Sequence, residues 1–491
     1  MLSQTITDFA TLAIASGGWM EMDRVYLQNR VLGMIGKTKL EPTEIRKSPK
    51  TSLQLKDELL EAAKTNQMIG SSNSEQEVFA AQLMDFLTPP PSVVNAFFAQ
   101  FYSKDPQSAT DYFYQLCKKN DSVKTRNIAE NIDFSVETAY GELGISLNAT
   151  KDNASVFHEE ALSDSIPKCQ LCMETEGYKG RSNFPARTNQ RIIRMNLDGE
   201  SWGFHYLPEG YYNEHCIIAS EQHRPLEITK RTFERLLRIV EVLPHYFIGS
   251  SADLGNDNGA YLAHDHYQGG RQHFAIENAN MKQCFSFTDF PNVTVGILQW
   301  PLSVLRLQSE NKDEIAQAAY RIMNKWKEYS NEDLSIFAYS ADGTPHHTVT
   351  PIARKTSTGF ELDIVLQDNN TSEKYPEGIF HPHKEVQHLK KENIGLTEAQ
   401  GLAILPGHLA NDLQEVMHYL LDEENDMVFE HKDWADQIKA NHNVTKENAE
   451  EVLQKEVGQA FIQALEDASV FKQDEKGQTG FEQFVAACNF S

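Results

Sequence analysis

Apolar residues recur at helical spacing near both ends of the chain, and the region between them contains short apolar runs. In the first 150 residues, Val94, Phe98 and Phe101 recur at three- and four-residue intervals, which predicts helices. Farther along, apolar runs at 191–193, 202–206 and 215–219 are short and bounded by turn residues, which is typical of β-strands. After residue 407 the spacing is helical and acidic again. The pattern predicts a helical N-terminal region, 1–150, a strand-rich middle and a helical C-terminal region, 408–491.

Within the middle region, an order of strands followed by a helix occurs twice. The first helix is predicted at 229–243, where the apolar side chains are those of Phe233, Leu236, Leu237 and Val240 and Pro244 ends the helix. Strands at 293–298 and 302–307 precede a second helix at 313–329, and further strands are predicted at 334–339, 347–352 and 360–366, with a hairpin turn at 356–359. This repeated order indicates an internal duplication, with one half at 151–285 and the other at 286–407.

The segment AHDHYQGG at residues 263–270 carries the clearest chemistry. In a β-strand alternate side chains share one face, so His264, His266 and Gln268 would project together, with Gly269 and Gly270 leaving room for a ligand. An imidazole can attack phosphorus or bind a metal, and an amide can donate to a phosphate oxygen. The spacing alone is equally compatible with a strand that carries two surface histidines.

Composition narrows the class of protein. A chain of 491 residues can bury several cores. Its net charge of −25 argues against a nucleic-acid or anionic-membrane partner, although a local basic pocket could still bind a nucleotide. No apolar run approaches the roughly 20 residues of a membrane span, and the N-terminus lacks the basic start of a signal peptide. Six cysteines are too few for a disulfide scaffold, so we expect a cytoplasmic protein.

The 263–270 segment resembles the active-site strand of galactose-1-phosphate uridylyltransferases, in particular the class II bacterial type. Further motifs of that family occur in order along most of the chain. They are YLQNRVL at 26–32, KCQLCME at 168–174, WGF at 202–204, YYNEHC at 211–216, SEQH at 220–223, TPIARK at 350–355, FHPH at 380–383 and KKENIGL at 390–396. The resemblance implies an α+β fold of two histidine-triad-like halves, each an antiparallel sheet with packed helices, flanked by the helical end regions.

A zinc site is expected at Cys169-x-x-Cys172, the one closely spaced cysteine pair. Structural zinc takes four tetrahedral ligands from thiolates and imidazoles. We assign His223 and His264 as the partners, which is the ligand order that the resemblance implies, and His215 is the rival third ligand. A redox role would need a thioredoxin-like βαβ setting, which the sequence lacks.

The resemblance also implies the reaction, which is transfer of UMP from UDP-glucose to galactose 1-phosphate in the Leloir pathway of galactose metabolism. His266 is then the nucleophile that carries UMP as a uridylyl-histidine, since a double displacement lets one pocket serve both sugar phosphates. Gln268 donates to a phosphoryl oxygen of that intermediate. The order of the two histidines, the first on metal and the second on phosphorus, comes from the family and not from the spacing.

Five residues are expected to contact substrate. Arg181 and Arg187 follow the cysteine pair, where the family begins its uridine pocket, and Lys391 matches a family lysine near the sugar phosphate. Asn258 and Gly259 lie in the loop before the catalytic strand. Here the chain reads LGNDNGAY at 254–261, whereas class II relatives usually carry an Ile-Val-Gly-Gly-Ser-type run. Small residues in this loop let backbone N–H groups approach phosphates, while Asp257 adds opposing charge.

The expected partners are therefore UDP-glucose and hexose 1-phosphates, without nucleic acid or membrane, and the chain could form a homodimer. Two other functions stay open. A histidine-triad-type nucleotide hydrolase or phosphorylase would usually carry a third histidine where Gln268 stands, and glutamine cannot shuttle protons as histidine can. A zinc-stabilised paralogue without activity would fit the altered loop. His381 and His383 are interpreted as structural, without a second metal.

Overall fold

The computed structural model describes residues 2–151, 166–181, 184–254 and 262–489. The substrate-binding predictions for Asn258 and Gly259, and the altered loop with Asp257, fall outside these residues. None of the helices in the described ranges is both long enough and apolar enough to cross a membrane.

The described residues form helices and strands in mixed order. The helices are α1 Leu2–Ala15, α2 Arg24–Met34, α3 Ser52–Thr65, α4 Asn73–Asp85, α5 Pro91–Tyr102, α6 Pro106–Lys119, α7 Thr125–Ile128, α8 Lys230–Val242, α9 Lys312–Lys327, α10 Leu396–Ala399, α11 Leu409–Leu420, α12 Lys432–Asn441, α13 Ala449–Ala468 and α14 Glu475–Cys488. The strands are β1 Ile132–Thr138, β2 Gly141–Asn148, β3 Ile193–Leu197, β4 Glu200–Tyr206, β5 Cys216–Ser220, β6 Phe247–Gly249, β7 His266–Gly270, β8 Met281–Phe287, β9 Phe290–Leu298, β10 Val304–Ser309, β11 His347–Thr356, β12 Gly359–Asp368 and β13 Leu402–Pro406.

The chain divides into two compact units, and the first is largely helical. It comprises Met1–Arg126, Phe157–Gly210 and Glu214–Arg224. Helix α1 packs on α2 and α3, α3 packs on α4, and α5 packs on α6 and β3. The core shared by α1 to α4 contains the buried side chains of Phe9, Leu27, Leu55, Leu59 and Leu83. Strands β3, β4 and β5 pair antiparallel in sequence order, so this unit combines a helical core with a short meander.

The second unit contains the longer series of strands. It comprises Asn127–Val156, Tyr211–Asn213 and Pro225–Ser491. Seven strands follow in the order β7-β6-β11-β12-β10-β9-β8, and each neighbouring pair is antiparallel. Helices α8 and α9 pack on each other and on these strands. A smaller sheet has the order β1-β2-β13, in which β13 runs parallel to β2.

The α+β fold class, with antiparallel sheets and helical regions toward both ends, is confirmed. The helices predicted at 229–243 and 313–329 correspond to α8 and α9. The apolar side chains that predicted them are buried, as Leu236 and Ile322 illustrate with 0% exposure each. The predicted hairpin turn joins β11 to β12, where Thr356 pairs with Gly359. Regular spacing of apolar residues was therefore a sound guide to these elements.

Two local predictions are wrong. The N-terminal region is not helical through residue 150, because 132–138 and 141–148 form the β1–β2 hairpin. The third strand of its sheet is β13, far away in sequence, so nothing local indicates the pairing. The strand predicted at 334–339 is absent from the described fold. Glu332–Leu334 is a short 3-10 helix, and Ser335 takes a left-handed conformation with φ of 59°, which interrupts an extended chain. The division of the chain into four sequence regions stays a prediction.

Strands β6 and β7 approach each other closely at Gly269. The register pairs Ile248 with Gly269 and Gly249 with Gln268. A Cβ atom on Gly269 would lie 2.3 Å from the Phe247 carbonyl oxygen and 2.2 Å from Ile248 Cδ1. The expectation that Gly269 leaves room for a ligand is therefore corrected, because the space beside it is filled by the neighbouring strand.

Replacing Gly269 by alanine tests this packing. The added methyl group must displace backbone, so we expect the free energy of unfolding to fall by about 1–3 kcal/mol, as in other overpacked sites. Urea unfolding followed by circular dichroism measures the change. Gly33→Ala is the matched control, because Gly33 is exposed in α2 and a Cβ atom added there would meet nothing within 4 Å. There alanine should be neutral or raise stability by up to about 1 kcal/mol. Equal effects of the two substitutions would contradict the close approach.

Candidate active site and metal centre

The two histidines of the 263–270 segment are buried, but they do not belong to one strand. Strand β7 begins at His266, and His264 lies two residues before it. The prediction that both histidines project from one strand is therefore wrong in its geometry. Their exposed fractions are 0% for His264 and 1% for His266, which excludes the alternative of surface histidines.

Alternate residues of this segment have different surroundings. Asp265 and Tyr267 face helix α8, where Arg235 Nη1 lies 3.8 Å from Asp265 Oδ2 and the side chains of Arg235 and Thr232 adjoin the Tyr267 hydroxyl. Because side chains alternate along a strand, His266 and Gln268 project from the face of β7 opposite Tyr267. Asp265 and Tyr267 thus attach the segment to α8, while His266 and Gln268 carry the candidate chemistry.

His266 is held by its own backbone. Its Nδ1 lies 2.8 Å from the carbonyl oxygen of His264. A carbonyl oxygen only accepts, so Nδ1 carries the proton and the lone pair of the neutral ring lies on Nε2. Burial lowers the pKa of His266 to about 4, although the hydrogen bond to the His264 carbonyl acts in the opposite direction. The ring is therefore neutral at neutral pH, as a nucleophile requires.

Gln268 follows His266 on the same face of β7. It lies opposite Gly249 in the β6–β7 register and is half-buried. A carboxamide has two N–H donors and one acceptor oxygen. At two residues from His266, it offers a neutral donor beside the candidate nucleophile.

The described residues contain one group of side chains able to hold a metal ion, formed by Cys169, Cys172, His223 and His264. The two sulfur atoms of the cysteines lie 3.6 Å apart, and Cys172 Sγ lies 3.3 Å from His223 Nδ1. Both cysteines are buried, in a tight turn in which the Cys172 N–H donates to the Cys169 carbonyl. Two thiolates and two imidazoles are a donor set that suits tetrahedral zinc. His215, the rival ligand, is not part of this group.

Apolar side chains surround the cysteines. Leu171, Ile217 and Ala219 are buried in one cluster with them. Exclusion of water strengthens the attraction between thiolate ligands and a cation, because the local dielectric is low. The turn is thus suited to a closed, structural site.

The two predicted uridine-pocket arginines have different partners. Arg187 Nη2 lies 3.3 Å from Oε1 of Gln170, the residue that follows Cys169, so this arginine is tied to the cysteine turn. The guanidinium of Arg181 lies over the Phe184 ring, 4.8 Å from its centroid. Arg181 also lines a cavity of about 510 Å³ with Lys179 and side chains of α2 and α4.

The lysine pair at 390–391 divides into a buried and an exposed residue. Lys391, the predicted substrate contact, is exposed. Lys390 is 3% exposed, and its ammonium lies 3.2 Å from the Glu392 carboxylate and 3.5 Å from that of Glu398. Lys390 therefore stabilises its own loop through these two ion pairs, and Lys391 is the lysine of this motif that is exposed.

His383 supports the structural interpretation of the second His-x-His motif. Its Nδ1 lies 3.4 Å from Asp467 Oδ1, and its Nε2 lies 3.1 Å from the Ile379 carbonyl. The ring also stacks on Tyr375 at 4.2 Å between centroids. Both ring nitrogens face protein groups, as expected for a packing role.

Sequence reasoning missed Arg235. It lies in α8 among the apolar residues that predicted the helix, and it is 7% exposed. A buried arginine needs a compensating charge, and Asp265, which precedes His266, supplies one. Two features of the sequence could have indicated this pair. Arg235 is a basic residue among the apolar residues of a predicted helix, and Asp265 is an acidic residue between two histidines.

Comparison with known proteins identifies the family of this chain. The family model described as the N-terminal domain of galactose-1-phosphate uridyl transferase matches residues 18–225, and the model of its C-terminal domain matches residues 239–436. The galactose-1-phosphate uridylyltransferase of Enterococcus faecalis is 49% identical over 487 residues, with 98% of both chains covered. Proteins of that name from Streptococcus pneumoniae, numbered 1, and Streptococcus mutans are 48% and 45% identical, with 98% and 99% of both chains covered. The chain belongs to the galactose-1-phosphate uridyl transferase family.

Proposed function

We propose that this protein transfers UMP from UDP-glucose to galactose 1-phosphate, giving UDP-galactose and glucose 1-phosphate. Membership of the family supports this reaction. The observation that carries it is the His266 ring, which is buried and has its Nδ1 bound to the His264 carbonyl at 2.8 Å. That bond leaves the Nε2 lone pair for attack on phosphorus.

In the first displacement, His266 Nε2 attacks the α-phosphorus of UDP-glucose. The bond between this phosphorus and the bridging oxygen breaks, and glucose 1-phosphate leaves with the electron pair. UMP is then bound to the histidine through an N–P bond. The hydrogen bond to the His264 carbonyl holds the Nδ1 proton and stabilises the positive charge that the ring gains during attack.

In the second displacement, a phosphate oxygen of galactose 1-phosphate attacks the same phosphorus. The N–P bond breaks, UDP-galactose forms, and the lone pair returns to His266. Gln268 donates an N–H to a phosphoryl oxygen in both steps. Donors of this kind, aimed at developing charge, contribute about 10²–10³ in rate.

We further propose zinc as the metal of the group formed by Cys169, Cys172, His223 and His264. The mixed thiolate and imidazole donors and the apolar surroundings support a closed site with four protein ligands. When bound, zinc would hold the two cysteines and the two histidines together. Since the His264 carbonyl accepts the His266 Nδ1 proton, fixing the His264 ring also restrains the nucleophile.

Positive side chains are the proposed contacts of the acidic substrates. Arg181 and Arg187 are assigned to the uridine side, and Lys391 to the sugar phosphate, where its exposure keeps the ammonium accessible to ligand. Backbone N–H groups at Asn258 and Gly259 are assigned to the phosphates. A homodimer and a cytoplasmic location stay predictions.

Covalent labelling tests the reaction. Incubation with UDP-glucose alone should add one UMP per chain and release glucose 1-phosphate, because the first displacement needs no second sugar phosphate. Intact-mass spectrometry measures the adduct, and His266→Ala should form none. His273→Ala is the matched control, because the His273 side chain is 98% exposed, and it should label like the unsubstituted protein.

The same experiment separates the alternatives. Release of free UMP without any sugar-phosphate acceptor would indicate a nucleotide hydrolase, and absence of both adduct and release would indicate a protein without this activity. Normal labelling of His266→Ala would show that the nucleophile is another residue.

Metal analysis tests the zinc site. The purified protein should contain close to one zinc ion per chain, and Cys169→Ser should lose most of it and unfold at a lower temperature, because structural zinc contributes directly to folding. Cys284→Ser is the matched control, since Cys284 is exposed, and it should keep its zinc. If His215→Ala loses zinc and His223→Ala keeps it, the third ligand is His215. Full zinc content in Cys169→Ser would exclude the site.

A further inference from the structure

We propose that Arg235 is a positioning residue for uridylyl transfer, and that it acts by holding the backbone of residues 265–267 from the face opposite His266. The inference rests on the proposed function. Arg235 does not belong to the group of candidate metal ligands, and neither displacement uses it as a reacting group.

The contacts of Arg235 are directed to the two neighbours of the nucleophile. Its Nη1 lies 3.8 Å from Asp265 Oδ2, with side-chain exposures of 9% and 7%. Its guanidinium also adjoins the hydroxyl of Tyr267, which is 0% exposed. One planar group with several N–H donors therefore faces both residue 265 and residue 267, and His266 is the residue between them.

Helix α8, which carries Arg235, is held in place by its N-terminal cap and by buried apolar side chains. Thr229 caps the helix, and its N–H donates to Thr232 Oγ1 at 3.0 Å. Phe233, Leu236 and Leu237 around Arg235 are each 0% exposed. A side chain that starts from a capped, buried helix turn has little freedom, so it can transmit the position of the helix to the strand.

Stability alone does not explain an arginine here. A buried ion pair gains little over apolar side chains of similar volume, because both charges lose their hydration. An apolar residue would continue the buried stripe of α8. What the charge pair adds is a specific partner, since a guanidinium at 3.8 Å attracts the Asp265 carboxylate whereas apolar contacts tolerate sliding.

This pairing matters because the position of the His266 ring and the position of its hydrogen-bond acceptor both depend on the backbone of residues 264–266. The His266 ring starts from residue 266, and its hydrogen-bond acceptor is the carbonyl of residue 264. A shift of the backbone between them changes the aim of Nε2 and the hydrogen bond at Nδ1 together. Misplacement by about 1 Å can cost on the order of 10²-fold in rate.

The test compares two arginines of the same helix. Arg235→Met keeps the length and removes the charge, and Arg238→Met is the matched control, because the Arg238 side chain is 43% exposed and pairs with Glu241. At saturating UDP-glucose, the rate constant for UMP adduct formation should fall about 10²-fold in Arg235→Met. KM should change by less than about threefold, and the final adduct should still reach one UMP per chain, since the binding groups remain. Arg238→Met should match the unsubstituted protein.

Two further variants keep the test decisive if Arg235→Met folds poorly. Asp265→Asn removes the same ion pair with almost no change in volume and should also slow adduct formation. Arg235→Lys keeps the charge without the planar fork and should recover part of the rate. A double variant, Arg235→Met with Asp265→Asn, should be no slower than the slower single variant, because both remove one interaction. Unchanged rate constants in all single variants, or a rise in KM without a change in rate constant, would overturn the proposal.

Hydrogen exchange separates this inference from the proposed function. Peptides that cover residues 262–270 should exchange faster in Arg235→Met than in Arg238→Met, whether or not UMP transfer occurs, because local opening sets the exchange. If the unsubstituted protein forms no adduct, the proposed function fails and so does a role in uridylyl transfer, although faster exchange would still identify Arg235 as the anchor of the segment. If the unsubstituted protein labels normally and exchange does not differ, Arg235 is not the positioning residue and the proposed function stands.

Discussion

The geometry of the candidate active site depends on Gly269, where the neighbouring strand leaves no room for a side chain. At Gly269 the backbone of β7 comes so close to Phe247 and Ile248 of β6 that a Cβ atom would overlap both. A close approach of this kind fixes the register of the two strands. Register in turn decides which residues face which side, since a slip of one residue exchanges the two faces of a strand. The position of His266 therefore follows from a constraint three residues away.

Once the register is fixed, the two faces of β7 perform different tasks. Tyr267 on one face of β7, together with Asp265 just before the strand, meets the buried guanidinium of Arg235, whereas His266 on the other face has a buried but uncharged ring. The same compensation operates elsewhere in this unit, where Asp363 is 0% exposed and lies 2.7 Å from Arg306 and 2.6 Å from Arg354. Burial alone would raise the pKa of Asp363, but the two guanidinium groups outweigh it and the pKa is lowered. The opposite charges of Arg306 and Arg354 therefore favour the ionised form of the buried Asp363 carboxyl group.

Much of the fold was predictable from local pattern, and the exceptions have physical reasons. Helices α8 and α9 and the β11–β12 hairpin carry their signal in neighbouring residues. Strands β1 and β2 do not, because their sheet is completed by β13 at residues 402–406. The interruption at Ser335 is a single left-handed residue, which apolar spacing cannot indicate.

The candidate site shows the same division. Cys169 and Cys172 were identifiable from their spacing, and their grouping with His223 and His264 came from the family resemblance. The placement of His264 before β7, and not within it, could not be predicted, because alternation fixes faces only inside a strand. Arg235 was missed because a partner 30 residues along the chain is invisible to local pattern. Lys390 and Lys391 are adjacent in sequence, and only packing separates the buried one from the exposed one.

The separation of the two thiols in the cysteine turn has a consequence for redox chemistry. At 3.6 Å, the Cys169 and Cys172 sulfur atoms are in van der Waals contact, about 1.5 Å farther apart than the ~2.05 Å of a disulfide bond. A metal ion bound there would take one lone pair from each thiolate and make both sulfur atoms less available to oxidants. Once a chelator removes the ion, an oxidant can take two electrons and join the sulfurs, and a disulfide no longer offers thiolate ligands. Metal depletion without a reductant would thus become irreversible, and the order in which reductant and metal are restored would decide whether the site reforms.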